Sequence, residues 1–160
     1  MSNITKLRDK QSGFTIIELV IVLVVIGILT LLVVTTHGSI EAKSRNDTRT
    51  HDLKTLQISL EGYFSRNSHY PSRADMNNPK WLKTNLPNLD TSLMSDPSNP
   101  TGSITLVAKP ASKSYAYDPT QADGVTPCES DDTTCAKYTL TATYEGSVNG
   151  STTLVVPSYN

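Results

Sequence analysis

Four groups of side chains in this 160-residue sequence have types and spacing that could do chemistry. They are a glutamate inside an apolar run, two cysteines, three aspartates beside proline or glycine, and the Asn-x-Thr/Ser triplets at Asn46 and Asn149. The run is GFTIIELVIVLVVIGIL, residues 13–29, and Glu18 is its one charge. Placing an aspartate or lysine at the centre of a membrane helix costs roughly 2.5–3.5 kcal/mol, so a carboxylate kept in such a run calls for a partner. Cys128 and Cys135 have the chemistry of a disulfide or of half a metal site. Zinc takes about four ligands, and His37, His51 and His69 lie far from the pair in sequence; no metal and no cofactor are expected. The Ser, His and acidic residues show no catalytic spacing, and no Gly-rich phosphate loop is present, so no enzyme is expected. Asn46-Asp47-Thr48 and Asn149-Gly150-Ser151 match a glycosylation triplet, a pattern short enough to arise by chance.

The elements that hold these residues follow from hydropathy. Between Ile16 and Val34 only Glu18, Gly27 and Thr30 are not strongly apolar. As a helix, Phe14 to Thr36 would rise roughly 35 Å, enough to cross a bilayer, so residues 14–36 are expected to span a membrane once. Ahead of them Lys6, Arg8 and Lys10 outweigh Asp9. Positive flanks stay cytoplasmic, which predicts a single-pass protein of the cytoplasmic membrane with its N-terminus inside. VVTTHGSIEAK offers no secretory cleavage site after the run. Both cysteines would then face outward, where two thiols favour a disulfide over a redox or metal site. The net charge of −1 does not support electrostatic binding of nucleic acid.

Past the apolar run the period remains helical. Leu53, Leu56, Leu60, Tyr63 and Phe64 share one face, and Glu41–Arg45 and Lys43–Asp47 are opposite charges four apart. This predicts one helix from about Phe14 to about Ser65, closed by Pro71, with residues 37–65 as its amphipathic half. Arg45, Arg49 and Lys54 are read as a solvated or intersubunit face. Prolines 71, 79, 87, 97 and 100 break up the next stretch, apart from a helical turn at WLKTNL. Beyond it the period becomes two, in SYAY (114–117), KYTLTATYEG (137–146) and TTLVV (152–156), with ITLV (104–107) as a fourth candidate strand. Asn149-Gly150 marks a hairpin. Tyr115, Tyr117, Tyr138 and Tyr144 are assigned to sheet packing in preference to a stacking platform for single-stranded nucleic acid. About 95 residues with few apolar groups make a thin core. Laying a small antiparallel sheet on the Leu53–Phe64 face buries both, so residues 66–160 form a sheet domain and the fold class is α+β.

The stretch GFTIIELVIVLVVIGIL, with a short basic leader ending in Gly13, resembles the class III signal of type IV pilins and pseudopilins. RNDTRTHDLKTLQISLEGYFSRNSHYPS is similar to the second half of the helix in that family. SDPSNPTG, SYAYDP and KYTLTATYEG resemble its sheet segments. The resemblance implies that a prepilin peptidase cuts between Gly13 and Phe14, removing residues 1–13, and methylates the new Phe14 amine. That amine would supply the charge Glu18 lacks. In a staggered filament Glu18 can meet the amine of a neighbouring copy and so set register, because a buried pair that loses one member costs about 3–5 kcal/mol. Where relatives carry a helix-loosening proline, this chain has Thr35 and Thr36. Some pseudopilins hold calcium with loop carboxylates; Asp96, Asp118 and Asp123 are assigned to turns instead.

The resemblance implies a structural subunit of a type IV pilus-like surface filament, a homo-oligomer serving adhesion, twitching motility or DNA uptake. Its partners would be the prepilin peptidase, an assembly ATPase, an inner-membrane platform protein and, before assembly, membrane lipid. Two alternatives stand beside it. One is a pseudopilin of a type II secretion or competence system; the other is a monomeric, single-span binding protein.

Overall fold

The computed structural model describes residues 13–99, 101–102, 104–128 and 134–160, without the side chains of residues 32–37. Helix α1 covers Ile16–Asn67. After it come the short helices α2 (Arg73–Met76) and α3 (Pro79–Asn85) and a 3-10 turn at Thr91–Met94. Strands β1 (Ala116–Thr120), β2 (Lys137–Val148) and β3 (Ser151–Pro157) form an antiparallel sheet in the order β1-β2-β3. The chain divides into two compact units after Ile40.

In the first unit the described residues are the start of α1 and the three residues ahead of it, with apolar side chains on every face. Phe14, Ile17 and Leu31 are 87%, 70% and 68% exposed. Thr30, the one polar side chain between Leu19 and Leu31, returns its hydroxyl to the Ile26 carbonyl at 2.7 Å. The expectation of a membrane-spanning half, and with it of a single-pass membrane placement, is corrected here. Among the described residues no helix is long and apolar enough to cross a membrane. The leader and the side chains of Thr35 and Thr36 lie outside the described residues.

The second unit begins at Glu41 and holds the core. Leu53, Leu56, Leu60 and Tyr63 of α1 are buried against Tyr117, Tyr138, Leu140, Ala142 and Val156 of the sheet. The alternating period of β2 places Tyr138, Leu140 and Ala142 on the inner face; Tyr144, expected beside them, is half-buried. Leu82 and Leu86 from α3 and its end, with Met76, Met94 and Leu106, close the sides. Helix α1 stops at Asn67 because Ser68 takes a left-handed conformation, φ 62°, and returns its N–H to the Phe64 carbonyl at 2.7 Å. Ser72 and Asp75 cap α2 reciprocally, and Asn78 with Pro79 opens α3. Asn149 and Gly150, φ 51° and 82°, make the two-residue hairpin that the sequence predicts.

Two expected strands are displaced. Residues 104–107 do not enter the ladder: the Asn77 side chain takes both backbone groups of Leu106, at 2.8 and 2.9 Å. Val107 alone meets the sheet, as a single bridge to Ala116. Strand β1 starts at Ala116 and extends through Pro119, which is tolerated because its nitrogen faces away from β2.

The stripe on α1 carries the stability of this unit. Leu56→Ala removes a fully buried side chain and should destabilise the protein by about 2–5 kcal/mol in chemical unfolding. Ile58→Ala, on the exposed face, should stay within about 0.5 kcal/mol of the parent.

Candidate functional site

The structure gives Glu18 a local role. Gly13, Phe14 and Thr15 precede the helix, and Thr15 is its N-cap. The Thr15 N–H donates to Glu18 Oε2 at 3.3 Å and the Thr15 hydroxyl donates to the same oxygen at 3.1 Å. The Glu18 N–H in turn donates to Thr15 Oγ1 at 3.3 Å. This reciprocal pattern is a capping box, Thr-x-x-Glu, and it satisfies two N–H groups that a helix start leaves open. The carboxylate also lies in the first turn, where the helix dipole favours a negative charge. The signal TIIE was in the sequence. The apolar neighbours of Glu18 mask it, since they draw attention to the run and away from the helix end.

In the second unit the inward stripe of α1 runs further than its leucines. Asn46, Arg49, Leu53, Leu56, Leu60 and Tyr63 recur at alternating spacings of three and four, and all are buried. Reading Arg45 and Arg49 as a solvated or intersubunit face is therefore corrected; Lys54 alone of the three is exposed. Arg49, 1% exposed, grips Asp96 with two parallel bonds, Nε to Oδ2 at 2.8 Å and Nη2 to Oδ1 at 2.9 Å. Its Nη1 donates to Asn46 Oδ1 at 2.7 Å, and its Nη2 also reaches Glu145 Oε1 at 2.9 Å and Ser98 Oγ at 2.6 Å. Arg45 holds Glu145 from the outer side, with Nε to Oε1 at 2.7 Å and Nη2 to Oε2 at 2.6 Å. The Asn46 amide bonds both backbone groups of Glu145, at 3.0 and 3.1 Å. One guanidinium thus ties α1 to the 96–98 turn and to β2.

The tyrosines follow the same logic. Tyr115 donates to Asp52 Oδ2 at 2.8 Å, Tyr70 and Tyr138 donate to the two oxygens of Glu61 at 2.9 Å, and Tyr117 donates to the Pro71 carbonyl at 2.7 Å. Burial, reinforced by Glu61, pushes the Tyr70 hydroxyl up to about 12. Rings committed this way serve packing and are not a stacking platform. Among the described residues, no buried side-chain polar atom lacks a partner.

The remaining predicted sites fall in separate places. Asp96 belongs to the ion-pair network and not to a turn alone, although it also accepts the Ser98 N–H at 2.8 Å. Asp123 does form a turn, taking the Thr126 hydroxyl and the N–H groups of Val125 and Thr126; these bonds hold it down at about 2. Asp118 lies in β1. Among the described residues no group of three His, Cys, Asp or Glu could hold a metal. Asn46 is buried with its amide engaged, which closes that triplet to modification; Asn149 is exposed. Cys128 and Cys135 are both fully buried in the core. The Cys135 carbonyl accepts from Tyr70 N–H at 2.8 Å and the Cys128 carbonyl from Arg73 N–H at 3.3 Å, so one segment clamps both ends of the loop. The acidic tip of that loop, Glu129, Asp131 and Asp132, lies outside the described residues.

Comparison with known proteins finds one family motif and several partial relatives. Residues 8–34 match the prokaryotic N-terminal methylation motif. The type II secretion system core protein G of Escherichia coli (strain K12) is 38% identical over 64 residues, 40% of this chain and 44% of that protein. The core protein G of Pseudomonas aeruginosa is 38% identical over 65 residues, 41% of this chain and 46% of that one. The type IV major pilin protein PilA of Myxococcus xanthus is 29% identical over 72 residues, 45% and 33% of the two chains. The chain therefore spans less than half the length of these curated relatives. No solved structure matches. Through the motif and these partial relatives, the chain is similar to type IV pilins and pseudopilins.

The Arg49 network makes two measurable demands. Arg49→Met leaves Asp96 buried without its counter-charge and should cost about 3–5 kcal/mol in chemical unfolding. Arg45, followed by Ser98 and Arg49, lowers the Glu145 carboxyl from an ordinary 4.5 to about 2. A carboxylate lowered on folding adds stability that is complete above its unfolded value and fades as pH falls toward the folded one. Glu145→Gln should accordingly flatten the loss of stability between about pH 4.5 and pH 2, seen as a shallower acid limb in melting temperature against pH.

Proposed function

We propose that this chain is a pseudopilin, a non-catalytic structural subunit of a type II secretion or competence filament, assembled through its N-terminal helix after leader removal. The observation that carries this reading is the higher identity to type II secretion core protein G, 38%, than to the major pilin PilA, 29%. The PilA likeness keeps a surface pilin, serving adhesion, twitching or DNA uptake, as the second reading. Under either reading the partners are further copies of the chain, a prepilin peptidase, an assembly ATPase and a platform protein. Deleting the gene should abolish secretion of exported proteins while sheared surface filaments remain. Filaments containing this chain in the sheared fraction would transfer the assignment to the pilin reading.

Processing falls between Gly13 and Phe14, with methylation of the Phe14 amine. The methylation motif brackets this bond, and the two residues stand just outside the first turn of α1. N-terminal peptide masses of the assembled protein should begin at methylated Phe14. A bulky residue at 13 should leave only uncut precursor, and assembled protein still carrying Met1 would contradict the assignment.

Glu18 then has two duties that substitution can separate. As a cap it needs only an acceptor, which glutamine also provides; as counter-charge to a neighbour's Phe14 amine it needs its negative charge. Glu18→Gln should keep leader cleavage and helix content yet lower filament yield at matched protein level, and Glu18→Val should do the same. Thr15→Ala, which keeps the charge, should assemble. Full assembly by Glu18→Gln would leave the cap as the only role of this side chain.

Cys128 and Cys135 are assigned to one disulfide. Their burial and the shared clamp at Tyr70–Arg73 bring the ends of the loop to one place in the core. A ring of about eight residues adds roughly 2.5 kcal/mol by chain entropy, less any strain. Non-reducing peptide mapping should recover a linked Cys128–Cys135 peptide, and quantitative alkylation of both thiols in unfolded, unreduced protein would exclude it.

A further inference from the structure

A three-stranded sheet exposes two edges, and an open edge is a template for another strand. Here both edges are accounted for almost group by group. On the outer side of β1, Val107 donates to the Tyr115 carbonyl at 3.0 Å and accepts from the Tyr117 N–H at 3.0 Å. The next outward position is Pro119, which has no N–H and whose carbonyl takes the Cys128 N–H at 2.8 Å.

Among the described residues no neighbouring backbone covers the β3 edge, and side chains do so instead. Ser158 donates its N–H to the Tyr138 carbonyl at 3.0 Å, so Val156 and Leu154 also turn their backbone groups toward β2. Thr153, Val155 and Pro157 face outward. The Ser151 hydroxyl donates to the Thr153 carbonyl at 2.7 Å and accepts the Thr153 N–H at 3.2 Å, closing both groups of that residue. Pro157 has no N–H, and its carbonyl accepts from Gln57 Nε2 of α1 at 2.7 Å. Among the described groups, the N–H and C=O of Val155 are what this edge still offers. One residue cannot hold an incoming strand, which needs a row of alternate positions.

We propose that Ser151, Gln57 and Pro157 act as an edge lock that prevents the β3 edge from pairing with the β3 edge of a second copy. The occupant excluded is this chain itself, because its own β-branched TTLVV segment, with Val155 exposed, is an apt antiparallel partner. The lock leaves self-association to other surfaces, and it does not depend on which filament system the chain serves.

The test uses the full chain in a mild detergent, at matched concentrations of parent and variants. Ser151→Ala alone should speed hydrogen exchange of the Thr153 amide roughly two- to tenfold, since one modest hydrogen bond is lost. Combining it with Gln57→Ala and Pro157→Val should lower the concentration at which sedimentation detects dimers by about tenfold or more. Adding Val155→Lys to the triple variant should reverse that shift, because an edge lysine opposes pairing. Unchanged Thr153 exchange in Ser151→Ala overturns the lock even if the triple variant fails to fold. A folded triple variant that dimerises no more than the parent, or one whose dimers persist with Val155→Lys, overturns it as well.

Discussion

The fold of the second unit depends on burying one stripe of α1 that is only half apolar. Leu53, Leu56, Leu60 and Tyr63 would make an ordinary hydrophobic seam, but the same stripe begins with Asn46 and Arg49, and Asp52 adjoins it. A sheet laid over such a surface has to answer each polar group it covers, since an unpaired buried charge costs several kcal/mol. Most of the structure around the core can be read as that answer. The 96–98 turn brings Asp96 to Arg49, β2 brings Glu145 to Arg45 and Arg49, and β1 brings the Tyr115 hydroxyl to Asp52.

This arrangement also explains how a thin core becomes a specific one. Aromatic rings supply area that the few aliphatic residues cannot, and each buried hydroxyl fixes a distance between sheet and helix. Tyr70 and Tyr138 converge on Glu61 from different segments, while the Tyr70 and Tyr138 rings meet edge to face at 4.7 Å. The cysteine loop, the Pro71–Ser72 corner and β1 are held at one end of this cluster, through the Tyr117 hydroxyl and the Cys128 and Cys135 backbones. Directional bonds of this kind select one register, where apolar contact alone would tolerate several.

The first unit works under a different constraint. Its apolar side chains meet solvent on all sides in the single chain, and its ordered polar contact at the start is the Thr15–Glu18 box. A helix that is apolar all round needs an external partner, which suits the subunit role proposed for this chain. The capping box fixes where the helix begins, directly after the bond assigned to processing. The counter-charge role proposed for Glu18 would come on top of this cap.

Much of this was legible in local patterns. The basic leader, Gly13–Phe14 and the apolar run carried the family resemblance; the leucine period carried α1; alternation and Asn149-Gly150 carried the β2–β3 hairpin. These signals are set by neighbours a few residues apart, so one-dimensional spacing suffices to read them. Membrane crossing, expected from hydropathy, is not carried by the structure: among the described residues no helix is long and apolar enough to span a bilayer. What sequence spacing could not supply were the pairings across 46 to 100 residues: Arg49 with Asp96, Arg45 with Glu145, Tyr117 with Pro71. Arg49 looked like a surface cation because a charge is normally left in water. Only the folded chain, by delivering two carboxylates to it, made its burial affordable, and no local rule anticipates which distant segment will do so.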